Sequence, residues 1–160
     1  MIKRFLIMIK KLILIIIVFS AGGYVLNQKK EPRGLRNNNA GNIENNGIQW
    51  EGLSSIQTDT RFYQFESPEY GIRAIAKILK TYQTKYGINT ISGIINRWAP
   101  PLENDTGSYV AHVAHVLGVL PNETINVNDY MVLLIKSIIV HENGYNPYKE
   151  QTIVNGVMLA

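Results

Sequence analysis

Cysteine is absent from this chain of 160 residues. That excludes a disulfide framework, a thiolate nucleophile and any cysteine-based zinc site. It also leaves no thiol to misoxidise in an oxidising compartment. Charge is sparse, with 18% of residues Asp, Glu, Lys or Arg, so a carboxylate in an apolar setting stands out. Acids are missing from the N-terminal stretch altogether, Glu31 being the first. Lys3, Arg4, Lys10 and Lys11 account for the net charge of +4, because the other twelve Lys and Arg match the twelve Asp and Glu. The body of the protein is therefore neutral, which excludes the basic footprint of a nucleic-acid partner. Internal repeats, a phosphate-binding loop and a recognisable Ser/His/Asp nucleophile motif are also missing.

What is present begins with a leader. LILIIIVFSAGGYVL (Leu12 to Leu26) is an uncharged apolar run behind the two basic pairs. Phe5 to Ile9 extends it toward membrane-spanning length. Residues 1–26 read as a signal anchor that leaves the basic end in the cytoplasm and exports the rest. The alternative is a signal peptide cleaved at Ser20-Ala21-Gly22. Either reading places the remainder outside the cytoplasm. Residues 27–33 form a polar tether, and residues 34–160 a single domain with room for its own core.

Within that domain, Gly34 to Gly52 is rich in Asn and Gly, which favour turns over regular elements. Leu35, Ile43, Ile48 and Trp50 nevertheless need burial. Helices are expected from residue 67 onward. Ser67-Pro68-Glu69 is a cap with proline at the first helical position, and Gly87 ends that helix. Thr90 opens a second helix, stopped by Pro100-Pro101. Thr106 opens a third that closes at Gly118. Asn128-Asp129 opens a fourth, YMVLLIKSIIVHE, stopped by Asn143-Gly144, and Lys149 to Ala160 forms a fifth. Alternation in RFYQF (Arg61 to Phe65) suggests a small β-hairpin. The class is mainly α with an irregular N-terminal lobe.

Three constellations carry chemistry. The fourth helix is almost wholly apolar, which places it mid-bundle, and Glu142 lies at its C-terminal end. The helix dipole disfavours a negative charge there, and burial adds to that. A carboxyl kept protonated near neutral pH suits a glycosidase general acid; on helix physics alone, a solvated helix end beside the Asn143-Gly144 turn is the simpler account of Glu142. WAPPLENDT (Trp98 to Thr106) is a proline-stiffened loop presenting Trp98, Glu103, Asn104 and Asp105, with Asp105 or Thr106 as helix cap. His112, His115 and His141 could in principle hold zinc in a peptidase, but without H-E-x-x-H they read as histidines beside an apolar stripe. Trp50, Trp98, Tyr109, Tyr145 and Tyr148 cluster in sequence around these motifs, and aromatic faces stack on sugar C–H faces.

Taken in order, RGLRNNNAGNI, W-E-G, D-x-x-F-x-x-F-x-S-P-E-Y-G-I-R-A, I-I-N-R-W-A-P-P-x-E-N-D-T and H-E-N-G resemble a family of phage virion-associated lysins. That family includes the muralytic structural protein of enveloped double-stranded RNA phages. The resemblance spans Arg33 to Ala160. One departure is Ala40, where the family usually has proline. The resemblance implies a lysozyme-like helical fold and cleavage of peptidoglycan glycan strands between N-acetylmuramic acid and N-acetylglucosamine, by a lytic transglycosylase or a muramidase. It implies Glu142 as acid, with Glu103 as its rival, and Asp59 or Glu103 as the second carboxylate of a hydrolase. Asn37, Asn38, Asn39, Asn42, Trp50, Trp98, Asn104, Tyr109, Asn143 and Tyr145 would line or support the cleft. No cofactor and no metal are implied. The expected location is the periplasmic side of an inner membrane, or the secreted or virion-associated equivalent. A cell-wall endopeptidase and a non-catalytic wall-binding virion protein are the alternatives.

Overall fold

The structure is a computed structural model that describes residues 30–101 and 105–160. The N-terminal apolar run, Glu103 and Asn104 lie outside these residues. Among the described residues no helix is long and apolar enough to cross a membrane. Pro32–Ala160 forms one compact unit.

Its elements are helices α1 (Arg33–Arg36), α2 (Pro68–Tyr86), α3 (Ile91–Trp98), α4 (Thr106–Leu117), α5 (Met131–Asn143) and α6 (Glu150–Met158). The mainly-α class is therefore as expected. The boundaries follow local chemistry. Pro68 supplies a preset helical φ in the first turn of α2, where its missing N–H is no loss. Thr90 and Asp105 accept the backbone N–H of Gly93 and Ser108 respectively, each satisfying an otherwise orphaned donor. Gly87, Gly118 and Gly144 end α2, α4 and α5 at φ 64°, 70° and 80°, a left-handed conformation that costs glycine little.

Two expectations are corrected. Helical structure begins before residue 67, because Pro32 leads into the short α1, whose turn is closed by Asn37 N–H on the Arg33 carbonyl. RFYQF forms no hairpin among the described residues. It makes only isolated antiparallel bridges, Glu44 to Phe62 and Leu53 to Phe65. The reason is that its neighbours supply side-chain partners in place of a continuous ladder. Asp59 takes the Arg61 and Phe62 N–H groups, and Gln57 takes that of Gln64.

Helix α5 is central, packing against α1, α2, α4 and α6. Leu134, Ile135, Ile138 and Ile139 are fully buried in the main core, with Ile72, Ile75 and Leu79 of α2 and Ile153 of α6. Helices α2 and α6 approach closely at Gly156, where a Cβ would lie 2.6 Å from Ile72. A smaller apolar cluster of Tyr63, Phe65 and Ala74, flanked by Ile43, Trp50, Leu53 and Tyr70, underlies the N-terminal lobe.

Candidate active site

The lobe is folded by its asparagines. Asn38 and Asn42 hold φ of 51° and 49°, a left-handed region that Asn tolerates better than most residues. Asn39 is 0% exposed. Its amide donates to the carbonyls of Ile43 and Tyr63, both at 2.9 Å, and its Oδ1 accepts from Ile43 N–H. Asn38 donates to the Phe65 carbonyl at 3.0 Å. These bonds replace a sheet ladder and fix the loop 37–43 over the helical body. Gly71 lets α2 come up beneath it, since a Cβ there would meet the Asn38 carbonyl oxygen at 1.9 Å.

The loop is also tied to the end of α5. Buried Asn143 donates to the Ala40 carbonyl at 2.7 Å and to the Ile139 carbonyl at 3.0 Å. Ala40 itself is buried, and the bond uses its carbonyl, which a proline at this position would also offer. Glu142, the adjacent residue, is half-buried rather than fully buried. Its Oε2 accepts from Asn42 Nδ2 at 3.0 Å and its Oε1 from Trp98 Nε1 at 3.1 Å. One carboxylate is thus oriented by groups from the N-terminal loop and from the end of α3. Gly41 lies in the same junction, with a Cβ there meeting both Ile75 and Trp98 at 2.9 Å.

Glu142 faces a cleft of about 500 Å³ lined with Gly41, Asn42, Ile43, Glu44, Arg61, Phe62, Ile78, Tyr82, Trp98, Ala99 and Pro100. Its rim on the lobe side is an exposed ion pair, Arg61 with Glu44 at 2.8 Å. Behind Glu142, the His141 and Tyr109 rings stack with centroids 3.4 Å apart and planes 10° from parallel. Burial, reinforced by the charge of Glu142, holds the Tyr109 phenol well above its ordinary range. Burial lowers the His141 imidazole; Glu142 and Asp105 oppose that shift and His112 adds to it.

Of the residues singled out in the sequence, Asn42, Trp98 and Glu142 meet at this cleft. Asn37, Asn38, Asn39 and Asn143 support it from behind through the bonds described. Tyr109 is 0% exposed and so offers no stacking face. Trp50 packs on the small cluster of the lobe, and Tyr145, 47% exposed, does not line the cleft. Among the described residues, no group of three or more His, Asp or Glu is placed to hold a metal ion.

Asp59 does not line the cleft either. It accepts from Arg33 Nε and Nη2, both at 2.6 Å, from Asn37 at 2.7 Å, and from the backbone N–H of Arg61 and Phe62 at 3.0 Å each. The Arg33 bond is the leading reason its carboxyl sits far below the usual carboxylate range, ahead of the opposing effect of burial. Its visible role is to fasten α1 to the segment that carries Arg61 and Phe62. Sequence reading missed Glu44, Arg61, Ile78 and Tyr82 as cleft walls. The only signal for this wall was the D-x-x-F spacing, which marks Phe62.

No family model matches the chain. Over 127 residues it is 46% identical to Protein P5 of Pseudoalteromonas phage PM2, a match covering 78% of this chain and 79% of that protein. On this similarity the chain belongs to the family of Protein P5 of Pseudoalteromonas phage PM2.

Proposed function

We propose that the protein is a lysozyme-like enzyme that cleaves peptidoglycan glycan strands, with Glu142 as general acid. The observation that carries this reading is a single half-buried carboxylate at a helix end, oriented on both oxygens by Asn42 and Trp98 and facing an open cleft with aromatic walls. A general acid must be held within reach of the leaving oxygen, and such fixed orientation lowers the entropic cost of the proton transfer. In the proposed reaction, Glu142 donates its proton to the glycosidic oxygen as oxocarbenium character develops on the muramyl ring. The resulting carboxylate then takes a proton from the muramyl 6-hydroxyl, whose oxygen closes on the anomeric carbon to give the anhydro product.

A hydrolase would use a second carboxylate to place water or act as nucleophile. Among the described residues, Asp59 is saturated by five donors off the cleft, while Glu44 stands at the cleft rim beside Arg61; Glu103 lies outside the described residues. The phage origin of the relative agrees with a lysin role. We further propose that the N-terminal apolar run tethers the enzyme on the wall-facing side of the membrane.

The test is product analysis on purified sacculi. Wild type is expected to release anhydro-muropeptides, and Glu142→Gln to lose roughly 100-fold or more of that rate while keeping its helical circular dichroism. Cut stem peptides would point instead to a peptidase, and intact sacculi to a binding protein. A fully active Glu142→Gln variant would remove Glu142 from the mechanism and make Glu103→Gln the next variant to measure. An uncleaved leader in the membrane fraction supports the tether; a mature form beginning near Gly23 overturns it.

A further inference from the structure

The cleft has a charge asymmetry that cleavage of a neutral glycosidic bond does not require. Among the described residues that line it, Glu44 and Glu142 are acidic and Arg61 is the single cation. Arg61 is held in place with care. Its backbone N–H is taken by Asp59 at 3.0 Å, its carbonyl accepts from Asn45 N–H at 2.8 Å, and its guanidinium carbon lies 5.0 Å from the centre of the Phe62 ring. Arg33 also lies against Phe62, at 4.8 Å, but both of its arms are occupied by Asp59.

The partner of Arg61 is of a different kind. Both Nε and Nη2 approach the same oxygen of Glu44 at 2.8 Å, in a pair whose side chains are 58% and 60% exposed. An exposed pair of this kind contributes little net stability, and a guanidinium has five donors arranged to bind a carboxylate through two parallel bonds. An incoming carboxylate therefore has a positioned, weakly committed receptor at the rim.

We propose that Arg61 is a specificity-determining residue that receives a carboxylate carried on the side chain of the muramyl sugar. The carboxylate is either the lactyl group of a peptide-free strand or an acidic group of the stem peptide. Glu44 acts as the counter-charge that this carboxylate displaces. The inference rests on the glycan-cleaving reading and adds the substrate feature that is recognised.

The experiment compares kcat/KM for wild type, Arg61→Gln and Arg61→Lys on three substrates. These are peptide-bearing murein strands, amidase-stripped strands with free lactyl carboxylates, and stripped strands whose carboxylates have been converted to amides. Arg61→Gln is expected to lower the ratio of carboxylate-bearing to amidated rates by about tenfold, the scale of a lost charge-assisted hydrogen bond, with partial recovery in Arg61→Lys. A fall confined to stripped strands identifies the lactyl group, and one confined to peptide-bearing strands the stem. An unchanged ratio, or equal losses on all three substrates, overturns the proposal. If wild type cleaves none of them, the cleavage reading fails. The carboxylate preference is then read from calorimetric affinity for the same strands, where equal binding by wild type and Arg61→Gln overturns it.

Discussion

The helical body and the lobe before α2 are held together by different physics. In the body, Ile72, Ile75, Leu79, Ile94, Ile95, Leu134, Ile135, Ile138 and Ile139 are removed from water entirely, and burial of that kind is non-directional. The lobe has a small apolar cluster of its own. Its path is set by directional bonds from Asn37, Asn38, Asn39, Asp59 and Gln64 to named backbone or side-chain groups. Apolar packing tolerates exchange of one aliphatic for another, whereas each of these polar partners is specific. The lobe supplies Asn42 and Arg61 to the cleft and the body supplies Trp98 and Glu142. The site therefore depends on both kinds of stabilisation at once.

The contrast is most sharply tested by one substitution on each side. Ile139→Ala should destabilise the whole unit by about 2–5 kcal/mol, the usual range for truncating a buried aliphatic, lowering the urea midpoint and raising amide exchange everywhere. Asn39→Ala removes three buried or partly buried hydrogen bonds and takes away the partners of the Ile43 N–H and of the Tyr63 carbonyl, at a cost of about 3 kcal/mol. Its accelerated exchange should be concentrated in residues 37–66. Uniform exchange in both variants would mean that lobe and body are one cooperative unit.

At the junction, Trp98→Phe keeps most of the apolar contact but deletes the N–H on Glu142 Oε1. A loss of about tenfold in kcat is expected with little change in thermal midpoint, as for one bond to a charged group. An unaltered kcat would show that Asn42 alone orients the carboxylate.

Acid should separate the two regions as well. The folded-state pKa of Asp59 lies below its unfolded value. Its contribution is therefore fully present above the unfolded value of about 3.9 and is lost as pH falls below that toward the folded value. Exchange in the lobe should rise over this interval, and Asp59→Asn should show the weakened lobe already at neutral pH. Identical acid profiles for wild type and variant would break the assignment of Asp59 as fastener. The smallest effect belongs to the pair of Arg73, whose side chain is 13% exposed, with Glu51, whose side chain is 61% exposed, 2.5 Å apart. Glu51→Gln should change stability by less than about 1 kcal/mol, as judged by thermal melting.

Much of the body was legible because its signals are local. Pro68 at a helix start, caps at Thr90 and Asp105, and glycines at 87, 118 and 144 act within a turn of their own position. The periodic apolar residues between them identify the buried face. The lobe was less legible because its partners are distant in sequence. Asp59 reads as a spare acid until Arg33 and Asn37 are seen on it, 26 and 22 residues away. Tyr109 and Trp50 stand among the candidate substrate contacts until the full burial of Tyr109 and the packing of the partly buried Trp50 on the lobe cluster are seen.

By itself the sequence determined that this is a mainly helical domain, where its longer helices begin and end, and that an apolar helix terminates at Glu142. Those properties follow from backbone preferences and burial patterns that repeat over a few residues. Only the tertiary structure decided what Glu142 faces and what holds it. Asn42 lies 100 residues before it and Trp98 44 residues before it, and no local rule sets which side chains meet when the loop 37–43 closes over the end of α5. The same holds for the rim, where Arg61 and Glu44 are brought together by the isolated bridge of Glu44 with Phe62 and by the fastening of Asp59.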